Sequence, residues 1–223
     1  MTTTPADIAT NKTIAARRTI KSIAPDAKVE VLPYDMRHPA ALDALKGADV
    51  IFGCVDNDGA RLVLNELASG YQIPYFDLGV GIEVEHGVVT HIGGRVAAVL
   101  PDGPCLLCMD LLDLGEARYF LASEQEQELQ RRLGYVHGLD EPSPSVISLN
   151  ATIASLAVTE FGLYISGLRP IQPLTILDVL ASGRSLPAQW VIPERADANE
   201  NSLVCHHRGS GDAATIERYA VEQ

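Results

Sequence analysis

No G-x-G-x-x-G occurs anywhere in these 223 residues. Its absence speaks against a nicotinamide-dependent oxidoreductase, whose glycine fingerprint seats a pyrophosphate on a helix N-terminus. Basic residues are also few. Seventeen Lys and Arg stand against 29 Asp and Glu, for a net charge of −12 and a pI of about 4.8. That balance argues against non-specific nucleic-acid binding, which needs a basic surface. No apolar run approaches the roughly 20 residues of a membrane span. The opening residues, Met1-Thr-Thr-Thr-Pro-Ala-Asp7, carry neither the basic nor the apolar stretch of a signal peptide. Cysteine is scarce, four in all, and two of the four form Cys105-Leu-Leu-Cys108. Such usage suits a metal site in a reducing cytoplasm better than a disulfide framework.

What is present is an ordinary globular balance, 47% hydrophobic and 21% charged, in a chain long enough for a sizeable core. Apolar and basic positions from Asp7 to Ile23 predict an amphipathic helix that ends before Pro25. Val29 and Val31 alternate within Lys28 to Leu32, which reads as a strand. Pro39 to Leu45 reads as a short helix, Val50 to Cys54 as a buried strand, Arg61 to Ser69 as its helix, and Tyr75 to Val80 as another strand. This alternation implies parallel pairing through right-handed crossovers. Near residue 81 the pattern changes. Ile82 to His86 and Val88 to Ile92 flank Gly87 as a hairpin, and Arg95 to Leu100 follows as an antiparallel strand. Leu111 to Leu133 is charged and helical or partly mobile, with Ser123 to Glu128 as a solvated face. Glu141-Pro-Ser-Pro-Ser145 is a stiff turn. A long apolar helix then starts at Ser145 or Ser148, runs to about Ile165, and is expected to be buried against the sheet or a subunit. Leu174 to Val179 and Gln189 to Ile192 are late strands, and Glu194 to Asn201 is a polar loop. The expected class is α/β: a Rossmann-like, mostly parallel sheet with helices on both faces, continuing into an antiparallel portion.

Gly53-Cys-Val-Asp-Asn-Asp-Gly-Ala-Arg61 carries the most information. It is a tight acidic turn between a strand and a helix. In an open α/β sheet, ligands are met at the carboxyl ends of the strands. Two roles fit. Asp56 can hold a magnesium ion on a nucleotide, or Asp56 or Asn57 can simply cap the helix that follows. Cys105 and Cys108 make half of a tetrahedral zinc site. Cys205-His206-His207 offers the other half, but Ser202 stands where a second Cys-x-x-Cys would begin. Incidental cysteines are the competing account. Cys54, placed inside a strand, reads as core. Lys12 alone reads as an exposed helix lysine.

Several separated segments, in order, resemble one family. Thr4-Pro-Ala-Asp-Ile-Ala-Thr-Asn-Lys12 with Ala15-Ala-Arg-Arg-Thr-Ile20 and Ile23-Ala-Pro-Asp26 is one. Ala48-Asp-Val-Ile-Phe-Gly-Cys-Val-Asp-Asn57 with Arg61 and Asn65 is another. Pro144-Ser-Val-Ile-Ser-Leu-Asn150 with Ala154-Ser-Leu-Ala157 and Glu160, and the Cys105/Cys108 pair, complete the set. Together they resemble the ThiF/MoeB/HesA family of ubiquitin-activating-type adenylating enzymes. The resemblance implies binding of Mg-ATP and adenylation of the C-terminal carboxylate of a ubiquitin-like or sulfur-carrier protein, giving an acyl-adenylate and pyrophosphate. It implies that Lys12 contacts the phosphates and that Asp56 holds Mg²⁺. It places Asn57 and Arg61 at the nucleotide site, and a structural zinc on Cys105, Cys108, Cys205 and His207 (or His206 or Ser202 as the fourth ligand). It also implies a homodimer or heterodimer in the cytoplasm.

The chain departs from that family in two respects. Family members open with a strand and a Gly-rich loop that cradles the phosphates, so residues 1–223 read as one adenylation domain truncated at its N-terminus. Residues 1–80 would be the remainder of the nucleotide-binding half, and 81–223 the carrier-binding and zinc half. Loss of a central strand is expected to expose a sheet edge and to leave these residues with weak ATP binding or none. A non-catalytic partner subunit of a heteromeric activating enzyme is the alternative. Second, no cysteine lies between Cys108 and Cys205, so adenylation without a covalent thioester is expected.

Overall fold

The computed structural model describes residues 7–8, 10–132, 146–180, 188–190 and 208–211. Two compact units appear, one within Met1–Gly47 and one within Ala48–Tyr219.

The first unit holds two helices, α1 (Lys12–Ile23) and α2 (Pro39–Lys46). Asn11 caps α1, its side chain accepting from the Thr13 amide at 3.0 Å and the Thr13 hydroxyl at 2.7 Å. Arg18, one and a half turns along α1, forks onto the buried Asp7 carboxylate. His38 caps α2 through Nδ1, and Pro39 takes the first helical position, where its missing N–H costs nothing. The strand expected over Lys28 to Leu32 does not form; those residues belong to no ladder. Alternation of Val29 and Val31 supplies a strand-like pattern, but a strand exists only through the hydrogen bonds of a neighbour.

The second unit is built on one mixed sheet in the order β1-β2-β3-β4-β5. Its strands are β1 (Ile51–Gly53), β2 (Tyr75–Glu85), β3 (Val88–Val99), β4 (Leu174–Asp178) and β5 (Ala188–Trp190). β1 and β2 pair in parallel, and every later pair is antiparallel. The α/β class and the change from parallel to antiparallel pairing are therefore as the sequence implied. The segments read as four short strands between Tyr75 and Leu100 are two long ones. β2 and β3 form a single hairpin, with one irregularity at Glu83/Val84. Its turn, His86-Gly87, has positive φ at both residues, 52° and 78°, as a two-residue type I′ turn needs.

Helices cover both faces. α3 (Asp58–Tyr71) and α4 (Leu114–Leu121) lie on the side of Tyr75, Asp77 and Arg95. α6 (Ile147–Ser166) lies on the other, where Leu149, Ile153 and Ala157 close over Phe76, Val96, Ala98 and Leu177. An aromatic group of Phe52, Phe76, Phe161 and Tyr164 continues that core, with ring centroids 5.4 to 6.2 Å apart. Only one stripe of α6 is buried. Ile147, Val158 and Ile165, spaced to share the opposite stripe, are exposed. Between α4 and α6 in sequence, α5 (Glu124–Arg132) buries no residue, which matches the solvated face read from Ser123 to Glu128. The stiff turn at Glu141 to Ser145 and the polar loop at Glu194 to Asn201 lie outside the described residues. No described helix is long and apolar enough to cross a membrane.

Candidate functional site

The site is assembled where β1 ends. The chain leaves Gly53, turns through Cys54, Val55, Asp56 and Asn57, and enters α3. Asn57 is extended (φ −141°, ψ 155°), and its Oδ1 accepts the Ala60 amide at 2.8 Å. Capping therefore belongs to Asn57. Asp56 is exposed, and its Oδ1 accepts the Asn57 side-chain amide at 3.3 Å. The two roles the sequence left open are thus divided between neighbouring residues. The cap satisfies an orphan helix N–H, and the carboxylate beside it stays in solvent at the strand's carboxyl end. Cys54 lies just past β1 and is exposed, a correction to its reading as core: β1 is one residue shorter at that end than the apolar run suggests. Surrounding protein, and secondarily the Asp77 carboxylate, push its thiol above the ordinary range.

Beneath the turn lies a charged cluster of which the sequence reading named only Arg61. Arg61, one turn into α3, donates from Nη2 to the Val55 carbonyl at 3.0 Å and from Nη1 to Asp58 Oδ1 at 2.9 Å. Its Nε stands 3.4 Å from Asp77 Oδ1. Tyr75 donates its hydroxyl to that same oxygen at 2.7 Å. Arg95 of β3 lies 3.7 Å from Asp77 Oδ2 and donates to the Leu111 carbonyl at 2.9 Å. Asp77 is fully buried, and the Arg61 side chain is only 13% exposed. Burial first, and the Asp77 charge second, raise the Tyr75 pKa well above its usual value, so the hydroxyl remains a donor. Asp77 and Arg95 sit inside apolar runs read as strands. A charge within such a run was the available signal, because an unpaired charge is too costly to bury.

α3 also holds the cysteine turn. Asp58, Arg61, Leu62 and Asn65 fall on one helical face. Buried Asn65 accepts the Leu106 amide at 2.9 Å, and Asp58 Oδ2 accepts the Asp113 amide at 2.7 Å. Asp113 in turn caps α4. Beside the Leu106 anchor, Cys105 and Cys108 bring their sulfurs to 3.6 Å, far beyond the roughly 2.05 Å of a disulfide. Two thiolates at about 2.3 Å from one tetrahedral ion stand roughly 3.8 Å apart, so the spacing fits a shared metal. Ser202, Cys205, His206 and His207 lie outside the described residues. Among the described residues no group of three or more His, Cys, Asp or Glu is placed to hold a metal ion. Arg208, which directly follows His207 in sequence, donates to the Gly103 carbonyl at 2.6 Å, and Gly209 donates to Ser69 at 3.1 Å.

The structure thus brings Asp56, Asn57 and Arg61 together. Lys12 belongs to the other compact unit, exposed at the first position of α1.

Comparison with known proteins agrees with this architecture. The family model of the ThiF family matches residues 1–190. A SAMP-activating enzyme E1 of Haloferax volcanii is 27% identical over 103 residues, 46% of this chain and 35% of that protein. Among solved structures, the crystal structure of SeMet PaaA matches with a TM-score of 0.53 at 16% identity, covering 84% of this chain and 56% of that one; at that identity the likeness concerns the fold. The chain spans about a third to just over half the length of these relatives.

Proposed function

The chain belongs to the ThiF family, and we propose that it takes part in the ATP-dependent adenylation of the C-terminal carboxylate of a ubiquitin-like or sulfur-carrier protein, yielding an acyl-adenylate and pyrophosphate. One observation carries this reading. Asp56 stands exposed at the carboxyl end of β1 while Asn57 performs the capping, so the carboxylate is available to a ligand. In this reading Asp56 holds Mg²⁺, which commonly takes one or two carboxylates and keeps several waters. The ion would offset phosphate charge as the carboxylate attacks the α-phosphate. Asn57 and Arg61 shape the loop around it. Lys12 supplies a cation to the phosphates. Its place at the N-terminus of α1, in a first turn without acidic residues, is unfavourable for the helix itself and favourable for an anion. Lys12→Ala is expected to weaken ATP binding roughly tenfold or more without loss of helix stability; unchanged ATP affinity would remove Lys12 from the site. The name of the Haloferax volcanii relative, an activating enzyme E1, fits the reaction class.

The test is pyrophosphate release from ATP with carrier proteins ending in Gly-Gly. Release that depends on the carrier's free C-terminal carboxylate supports the proposal, and carrier-independent hydrolysis overturns it. The absence of G-x-G-x-x-G within these 223 residues favours a second arrangement, in which the chain is the non-catalytic partner of another ThiF-type subunit. Release that appears only after such a subunit is added, and that survives Asp56→Asn, selects that arrangement. A thiol-sensitive adduct with the carrier is not expected in either case.

A structural zinc is proposed for Cys105 and Cys108, closed by Cys205 and His207. Their 3.6 Å sulfur spacing supports it, as does the bond from Arg208 to Gly103, two residues before Cys105. Cys205 is three residues from Arg208, a reach of about 10 Å. Purified protein is expected to contain about one zinc per chain, lost in Cys105→Ser/Cys108→Ser with a fall in thermal midpoint. Metal analysis showing no zinc, with unchanged stability of that variant, sinks the assignment.

A further inference from the structure

We propose that Asp77 is a positioning residue: a buried carboxylate, oriented by Tyr75, that sets the Arg61 guanidinium so that it fixes the Val55 carbonyl and thereby the loop presenting Asp56. The inference rests on the reading of Asp56 as the metal-holding carboxylate.

Asp77 is an expensive residue for its place. It is fully buried, it pairs in register with Gly53 at the end of β1, and its strand neighbours are apolar. Where only packing is needed, an apolar side chain serves as well as a buried ion pair, or better. The arrangement accounts for the charge. Each edge of the Arg61 fork faces a different element: Nη1 the Asp58 carboxylate of α3, Nη2 the Val55 carbonyl of the loop, and Nε Asp77 of β2. A planar guanidinium with three fixed partners cannot turn without breaking several contacts. The Val55 carbonyl belongs to the peptide unit that leads into Asp56, and that unit is planar, so fixing the carbonyl orients the backbone entering Asp56. The next residue, Asn57, caps α3.

Charge balance ties the cluster together. Arg61 and Arg95 face Asp58 and Asp77, and the Glu116 carboxylate also feels Asp58 and Arg61. Among the described residues, Arg61 Nε, Arg95 Nε and Asp77 Oδ2 are buried and find no hydrogen-bond partner, so at 3.4 and 3.7 Å the Asp77 contacts hold by charge. Among the described residues, the hydroxyl of Tyr75 is the one short hydrogen bond that fixes the Asp77 carboxylate. Removing either the charge or that hydroxyl therefore releases Arg61 from the β2 side and loosens the loop.

The test is hydrogen exchange at the Ala60 and Arg61 amides, which bond to the Asn57 side chain and carbonyl. Leu64 and Ala68, further along α3, serve as references. Asp77→Asn is expected to speed exchange at Ala60 and Arg61 about tenfold or more, as loss of a charged contact would, and to leave Leu64 and Ala68 unchanged. Tyr75→Phe should do the same severalfold. Because Asp77→Asn leaves Arg61 and Arg95 without their shared carboxylate and can unfold the chain, the balanced pair Asp77→Asn/Arg95→Met, which removes one charge of each sign, is measured alongside. Unchanged Ala60 and Arg61 exchange in folded Tyr75→Phe and in the balanced pair overturns the proposal, as does equal acceleration along all of α3. Mn²⁺ binding in the presence of ATP separates this from the reading of Asp56. A rise of about tenfold in half-saturating Mn²⁺ for Asp77→Asn, beside a larger rise for Asp56→Asn, supports both. Accelerated exchange with Mn²⁺ binding untouched by either variant supports the positioning role and overturns the metal role of Asp56.

Discussion

Asp56→Asn is expected to lower carrier-dependent pyrophosphate release by roughly 10²-fold or more while leaving the fold intact. The substitution keeps shape and removes only the charge. Asp56 is exposed and does not cap α3, so its stability cost should stay within about 0.5 kcal/mol. Loss of rate should be partly recovered at high Mg²⁺, because an amide oxygen is a weaker ligand than a carboxylate but still an oxygen ligand. Asn57→Ala gives the reverse pattern. It removes the Ala60 cap, costs about 1 kcal/mol, and should affect rate mainly through the loop's order. Thermal denaturation and the pyrophosphate assay on the same two variants decide the matter. If Asp56→Asn destabilises the chain and leaves the rate alone, Asp56 is a structural residue and the nucleotide reading loses its main support.

The acidic turn was legible because strand, turn and helix signals are adjacent in sequence. What sequence could not apportion was the role of each residue in Asp56-Asn57-Asp58. All three are helix-starting types, and only backbone geometry separates the cap, Asn57, from the exposed carboxylate, Asp56, and from Asp58, buried against Arg61 and the Asp113 amide. Asp77 and Arg95 were hidden for a different reason. Each is one charge in an apolar run, and their partners of opposite charge lie 16 residues or more away along the chain, so local patterning gives no sign of the pairing. The Lys28 to Leu32 segment shows the limit of alternation, which describes a face but supplies no neighbour to bond. The hairpin was cut into short strands at Gly81 and at Gly93-Gly94, because glycine inside a strand pattern looks like a strand end. In the structure β2 and β3 run straight through them.

One of those glycines explains why. Gly94→Val is expected to cost about 3 kcal/mol or more, with α6 displaced from the sheet. A Cβ at residue 94 would lie 2.6 Å from Ile153 Cγ1 and 2.7 Å from the Gly79 carbonyl oxygen. Neither neighbour can yield. Ile153 is fully buried at the centre of the α6 contact, and the Gly79 carbonyl is backbone within a paired strand. The position is glycine because α6 sits directly on the β3 backbone there, in the close approach that lets Leu149, Ile153 and Ala157 reach Phe76 and Val96. Gly94→Ala should cost less, about 1 to 3 kcal/mol. Gly81 supplies the comparison. A Cβ there meets nothing within 4 Å, so Gly81→Ala should be neutral or stabilise by about 0.4 to 1 kcal/mol through the unfolded chain. Urea denaturation of the three variants tests the ordering. Equal stability of Gly94→Val and Gly81→Ala would mean that α6 does not seat on β3 at Gly94, and the packing of that face would have to be redrawn.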